Sequence, residues 1–269
     1  MSAFVYHLKY DFFNGLRDRS LLLMNYLFPL VLLFMMGAIL GGINPAFVET
    51  MIPAMIIITV MTSTLLGMPN PIVTSREAGV YRSFKINGVP AASILTIPLL
   101  SSLLHMVAAS VIITLCAASL FKAHLPIHWG SFIMIGLLAI FAMGGLGMLI
   151  GVITSNPRAT ILISQLIFVP SMMLSGMTMP LSILPGGIRR MAMILPATHV
   201  MNAWRALAFG LTADFNPIVS VFVLLAGGLV AFSLAAFLFR WDSHNQQRGR
   251  SPALAILALV PYLLAVIFL

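Results

Sequence analysis

"SFIMIGLLAIFAMGGLGMLIGVI", residues Ser131 to Ile153, runs for twenty-three residues without a charge. A helix needs about 20 apolar residues to cross roughly 30 Å of hydrocarbon, because every backbone N–H and C=O must be satisfied within the segment. The run is continuously apolar and does not alternate, unlike the ~10-residue dyad pattern of a barrel strand. This stretch decides the fold class: an all-α integral membrane protein.

Working outward, runs of the same kind occupy residues 21–43, 51–72, 95–121, 159–179, 217–239 and 252–269. The chain thus predicts six core spans, with a seventh helix at 252–269 beyond a linker at 241–251. Composition agrees, with 61% hydrophobic and only 7% charged residues and a mean hydropathy of +1.08, far from the roughly one-quarter charged residues of soluble domains. The short connections 44–50, 122–130 and 154–158 make consecutive spans antiparallel neighbours in one bundle. Phe4, Leu8, Phe12 and Leu16 recur at helical spacing, so residues 1–20 read as an interfacial amphipathic helix or, alternatively, as an extension of the first span.

The net charge of +8 is accounted for by topology, without a nucleic-acid partner. With the N-terminus in the cytoplasm, ten basic residues fall inside (Lys9, Arg17, Arg19, Arg76, Arg82, Lys85, Arg158, Arg240, Arg248, Arg250) and four outside (Lys122, Arg189, Arg190, Arg205). Ten against four is the asymmetry that the positive-inside rule describes, and basic inner loops also face anionic headgroups. The N-terminal twenty residues mix both signs of charge with aromatics, unlike a cleavable signal. A single cysteine, Cys116, permits no intramolecular disulfide.

Within the spans, Gly136, Gly144, Gly147 and Gly151 share a face of the fourth, a seam that lets helices approach closely. In the fifth, Ser164, Phe168, Ser171 and Ser175 form a stripe beside Gln165, with Pro170 as a kink site. Both features read either as close packing or as the lining of a translocation path. His105 is an ionisable group inside the third span, either a site residue or a neutral imidazole bonded to a neighbouring helix.

Several chemistries are missing. A P-loop needs Gly before its Lys, and the three lysines follow Leu8, Phe84 and Phe121; ATP-driven work must come from a partner. No span has Asp, Glu, Lys or Arg near its centre, which disfavours an ion-driven carrier. His124 and His128 are separated by Pro126 and lack a third ligand, so no metal site is expected.

The stretch 180–216 is broken by Pro180, Pro185, Gly186, Gly187 and Pro196 into pieces too short to span. It predicts an outer re-entrant or interfacial hairpin of two half-helices, the second capped by Thr198 and ended by Gly210. On the opposite side, "REAGVYRSFKINGVP" (76–90) puts four charges into fifteen residues and predicts a short protruding helix at 76–86, or an ordinary solvated loop.

These two stretches carry a resemblance. The first resembles the R-E-x-G-T-L-E-R-L-x-x-S/T-P loop of ABC-2 type permeases, the membrane subunits of one class of ABC exporter, with Arg76, Glu77 and Gly79 matching. Residues 175–210 are similar to the family's second signature through Ser175, Gly176, Pro180, Leu184, Pro185, Pro196, Ala203 and Arg205. The resemblance covers residues 1–240, so that 21–240 would be the ABC-2 transmembrane domain. Val80, Arg82 and "NGVP" depart from the pattern and make the loop more basic, and the seventh run is additional.

The resemblance implies a permease subunit in a bacterial or archaeal cytoplasmic membrane. It would act as a homodimer with two copies of a separate ATPase subunit that holds ATP and Mg, and this chain would bind no cofactor itself. Arg76, Glu77, Gly79, Arg82 and Lys85 would form the coupling helix that docks into the ATPase. Ser164, Gln165, Ser171, Ser175 and His105 are the path candidates, and Pro180, Pro185, Pro196 and Arg205 shape the hairpin. Family substrates range from drugs and peptides to lipids and polymers; the apolar spans lean toward an amphiphile. The competing readings are a membrane enzyme acting on a lipid through His105, His199 or Ser175, and a purely structural protein.

Overall fold

A computed structural model describes residues 3–43, 45–241 and 251–269. Among them all regular structure is helical. Six segments are long and apolar enough to cross a membrane: Arg19–Ile39, Phe47–Glu77, Ser93–Phe121, Trp129–Ile153, Pro157–Leu174 and Pro217–Leu238. They coincide with the six core runs read from sequence.

The chain opens with α1 (Ala3–Gly15), then turns, and Asp18 caps α2 (Arg19–Leu22) by accepting from the N–H groups of Ser20 (2.8 Å) and Leu21 (3.3 Å). This cap separates α1 from the first span, so α1 is not an extension of it. Of the expected stripe, Leu8 and Phe12 are half-buried, while Phe4 and Leu16 stay exposed. The first span continues through a π-helical turn at Leu23–Leu27 into α3 (Phe28–Ile43).

The second span comprises α4 (Pro45–Met61), a π-helical turn at Thr62–Gly67, and α5 (Pro69–Glu77). It is almost wholly buried and forms the centre of the bundle. A π turn widens the helix and disturbs its carbonyl ladder. Here hydroxyls bond to main-chain carbonyls around it: Thr59 donates to Met55 (2.9 Å), Thr62 to Thr59 (2.9 Å) and Thr64 to Val60 (2.6 Å).

A short α6 (Val80–Ile86) leads into α7 (Ala91–Phe121), α8 (Trp129–Ile153) and α9 (Pro157–Leu174). The glycine seam of α8 is a packing device. A Cβ on Gly147 would collide with the Thr64 carbonyl in the π turn, one on Gly144 with Leu99, and one on Gly151 would meet Ile72 and the Pro69 carbonyl at 3.0 Å. The neighbouring face of α8 packs on α12 (Pro217–Leu238), where Phe141 and Phe232 stack at 5.4 Å and Gly145 lies against Gly228.

Three sequence expectations are corrected. The fifth span stops at Leu174 and not near 179, because Ser175 leaves the helix and Gly176 takes φ +85°. The helix expected at 76–86 is two helices: α5 ends at Glu77, and Gly79 at φ +74° turns the chain before α6, a conformation only glycine adopts without strain. Thr198 is not an N-cap but lies in the first turn of its helix, with its hydroxyl bonded back to the Ala192 carbonyl (2.6 Å).

The C-terminal run folds as a 3-10 helix, Pro252–Leu259, followed by α13 (Val260–Phe268). At rises of about 2.0 and 1.5 Å per residue it extends about 29 Å, close to the hydrocarbon thickness. It packs beside α12: Leu257 and Leu264 share a groove with Phe222 and Val230, and Tyr262 fills a notch left by Gly227.

Candidate coupling surface and hairpin cap

At the end of the bundle that carries residues 76–90, here the basal end, left-handed Gly79 and Gly88 (φ +73°) bracket α6. A Cβ at either would meet nothing within 4 Å, so these glycines serve the turn and leave open space around it. Glu77, Gly79, Arg82 and Lys85 are exposed. The helix is held by two aromatics: Tyr81, buried, lies 5.6 Å from Phe239 beyond α12, and Phe84 lies 6.0 Å from His7 of α1. Burial pushes the Tyr81 phenol up to about 12, so it remains protonated.

Arg76 behaves differently from its four companions. It is buried, and its guanidinium donates to the carbonyls of Val152 (2.7 Å), Gly151 (3.4 Å) and Thr154. The last carbonyls of any helix lack intrahelical partners, and a cation there is favoured by the helix dipole. Arg76 therefore ties the end of α5 to the end of α8. The Thr154 hydroxyl meets that of Thr160 at 2.8 Å, which extends the link to α9.

Ser164, Ser171 and Ser175 of the stripe are buried in the protomer, and Gln165 is exposed on a helix whose Ile161, Leu162, Leu166, Val169 and Met173 are exposed too. His105 is fully buried: its Nδ1 lies 2.9 Å from the Tyr26 hydroxyl, and its ring stacks on Phe12 at 4.6 Å. It anchors α1 and the first span to α7. His105 meets Tyr26 and Phe12, whereas His199 meets Ser220 and Met193, so the two histidines share no partner.

At the opposite, hairpin end, the prolines start successive elements as expected. Pro180 precedes a 3-10 turn at Leu181–Ile183, Pro185 precedes α10 (Gly186–Ala192), and Pro196 opens α11 (Pro196–Leu207). Every residue from Pro196 to Trp204 is buried, so α11 packs against protein. Gly210 at φ +67° ends the hairpin, with the Leu211 N–H returning to the Arg205 carbonyl (2.8 Å).

The hub of this cap is Asn202, which sequence reading missed. Its carbonyl accepts from the N–H groups of Asp214 (2.8 Å) and Phe215 (3.3 Å), and its amide donates to the Phe215 carbonyl (2.9 Å) and Ser220 Oγ (3.1 Å). Ser220 in turn meets His199 Nδ1 at 3.4 Å, and His199 Nε2 reaches the Met193 carbonyl at 2.7 Å. That pattern suits a neutral imidazole donating from Nε2. Burial pushes its pKa down to about 4, against the opposing pull of the Met193 bond. Arg205 pairs with Asp214 at 2.7 Å, and Trp204 Nε1 donates to the Phe132 carbonyl of α8 (2.9 Å). The signal was present as Thr198, His199, Asn202 and Arg205 at helical spacing in an apolar stretch.

The family model for ABC-2 type transporters matches residues 2–209, which spans both the charged basal stretch and most of the hairpin. No curated protein shows a significant match to the chain.

Proposed function

The chain belongs to the ABC-2 type transporter family, and from that premise we propose that it is the export permease of a complex whose ATP hydrolysis resides in a separate cytoplasmic subunit. As a multi-pass membrane component of an ABC transporter it is not itself a catalyst. Two permease copies would frame the path, two ATPase copies would sit beneath them in the cell membrane with the permease N-terminus cytoplasmic, and the cargo would be an amphiphile moved outward.

The observation that carries this reading is the form of α6. Together with the end of α5 it displays Glu77, Arg82 and Lys85 to solvent, while Arg76 of α5 and Tyr81 of α6 fasten the segment to the ends of α8 and α12. A motor closing against α6 would therefore move the bundle, not a slack loop. The ten-to-four basic asymmetry supports the same sidedness.

The test is charge reversal at the exposed positions, Glu77→Lys with Lys85→Glu, followed by co-purification of the ATPase subunit and permease-dependent ATP turnover. Both side chains are exposed, so stability should shift by no more than about 0.5 kcal/mol, while association should fall sharply. Full association and turnover in the double variant would sink the docking assignment. Gly79→Leu is a poor probe, because left-handed backbone strains any larger residue there.

A further inference from the structure

At the hairpin end, the start of α4, the loop after α9 and the end of α11 line a half-open cavity of about 130 Å³, with Glu49 and Thr212 exposed at its rim. Its polar wall is made by Glu49, Thr50, Thr178, Thr212 and Arg205. Arg205 has already committed its charge to Asp214 at 2.7 Å, and among the described residues Glu49 has no ion pair. The same lining thus holds one carboxylate without an ion pair and three threonines, in a chain whose formal charge is +8. Such a carboxylate attracts a cation that can donate several hydrogen bonds.

Size narrows the ligand. The cavity exceeds the roughly 10–15 Å³ that one water needs but falls well below the ~300 Å³ at which drug-sized pockets begin. A small headgroup fits, and the rest of a larger ligand must lie outside. Met177, Met179 and Leu211 supply the apolar part of the lining, and exposed Met173, Val169 and Leu166 continue an apolar strip down α9.

We propose that this cavity binds the ammonium headgroup of an amphiphile whose apolar tail lies along the exposed face of α9. The assignment rests on the export reading and gives its cargo a chemical class. Glu49 accepts the charged N–H, the threonine hydroxyls accept the remaining N–H donors, and the Arg205–Asp214 pair holds the wall in place.

The purified chain in dodecyl maltoside micelles is titrated with dodecylamine, dodecanol and ethanolamine, with binding read from the thermal unfolding midpoint. Dodecylamine should raise the midpoint saturably, dodecanol should not, and ethanolamine should act only at far higher concentration. Glu49→Gln should weaken dodecylamine by about tenfold or more, the worth of a charge-assisted hydrogen bond, and Glu49→Asp should retain most of the affinity. Thr178→Val with Thr212→Val, which leaves the charge intact, should weaken it several-fold and serves if Glu49→Gln accumulates poorly. Equal half-saturation in wild type and both sets of variants, or dodecanol matching dodecylamine, overturns the proposal. Ethanolamine matching dodecylamine overturns the amphiphile assignment. No ATPase enters the titration, so failure here leaves the coupling reading standing, and failed ATPase association leaves this binding result intact.

Discussion

Replacing Arg76 by Met should detach the basal segment from α8 while leaving the displayed charges of α6 in place. The guanidinium supplies donors to three carbonyls, those of Gly151, Val152 and Thr154. A buried carbonyl left without a donor costs about 1–3 kcal/mol. The lower end for each of three gives about 3 kcal/mol, and losing a cation at a helix C-terminus adds roughly 0.3–1 kcal/mol. Methionine preserves most of the stem volume, so lost packing contributes little. Hydrogen exchange should accelerate at Thr154, whose N–H closes on Ile150, and at Ala78 and Gly79, which close on Thr74 and Arg76. The thermal midpoint should fall by several degrees. Arg76→Lys should land between, because a compact ammonium cannot serve three carbonyls with the reach of a planar fork. In the reconstituted complex, the ATPase should remain bound to Arg76→Met while transport per ATP falls, an outcome that simple misfolding would not give. A methionine variant with wild-type midpoint, exchange and transport would refute this account of Arg76.

Three further outcomes are expected. Gly147→Leu should abolish folded accumulation in the membrane, because the clash is with the Thr64 main chain and cannot be relieved by a rotamer; Gly186→Leu, facing open space, should accumulate normally by immunoblot. The midpoint of the wild type should fall as pH drops from about 6.5 to about 4, since the unfolded chain takes up a proton that buried His199 refuses. The sign follows from a folded pKa below the unfolded one: stability is intact above 6.5 and declines by about 3 kcal/mol across the window, and His199→Gln should flatten that slope. In a Cys116→Ser background, an impermeant thiol reagent applied outside intact cells should label Gly187→Cys but not Ser83→Cys; the reverse pattern would invert the topology.

The helical class and the six core crossings were legible in the chain because a span must satisfy its own backbone, so its signal is local and continuous. The hairpin was legible because Pro180, Pro185, Gly186, Gly187 and Pro196 crowd into one short stretch and break it repeatedly, whereas single prolines such as Pro53 and Pro98 are carried inside spans. What only the tertiary structure decided concerns pairs distant in sequence. Nothing in "REAGVYRSFKINGVP" says that Arg76 turns inward while Arg82 and Lys85 turn out, because the acceptors are the unpaired carbonyls of a helix end more than seventy residues away. Gly147 could be read as a seam residue, but not as the glycine that clears the Thr64 carbonyl, because that carbonyl stands out only where the second span widens into a π turn. Likewise Glu49 is an unremarked acid beside a span until the end of α11 and the loop after α9 form a half-open cavity with it. Local backbone satisfaction writes the spans into the sequence, whereas the pairing of leftover donors, acceptors and spaces between spans is settled only when the helices meet.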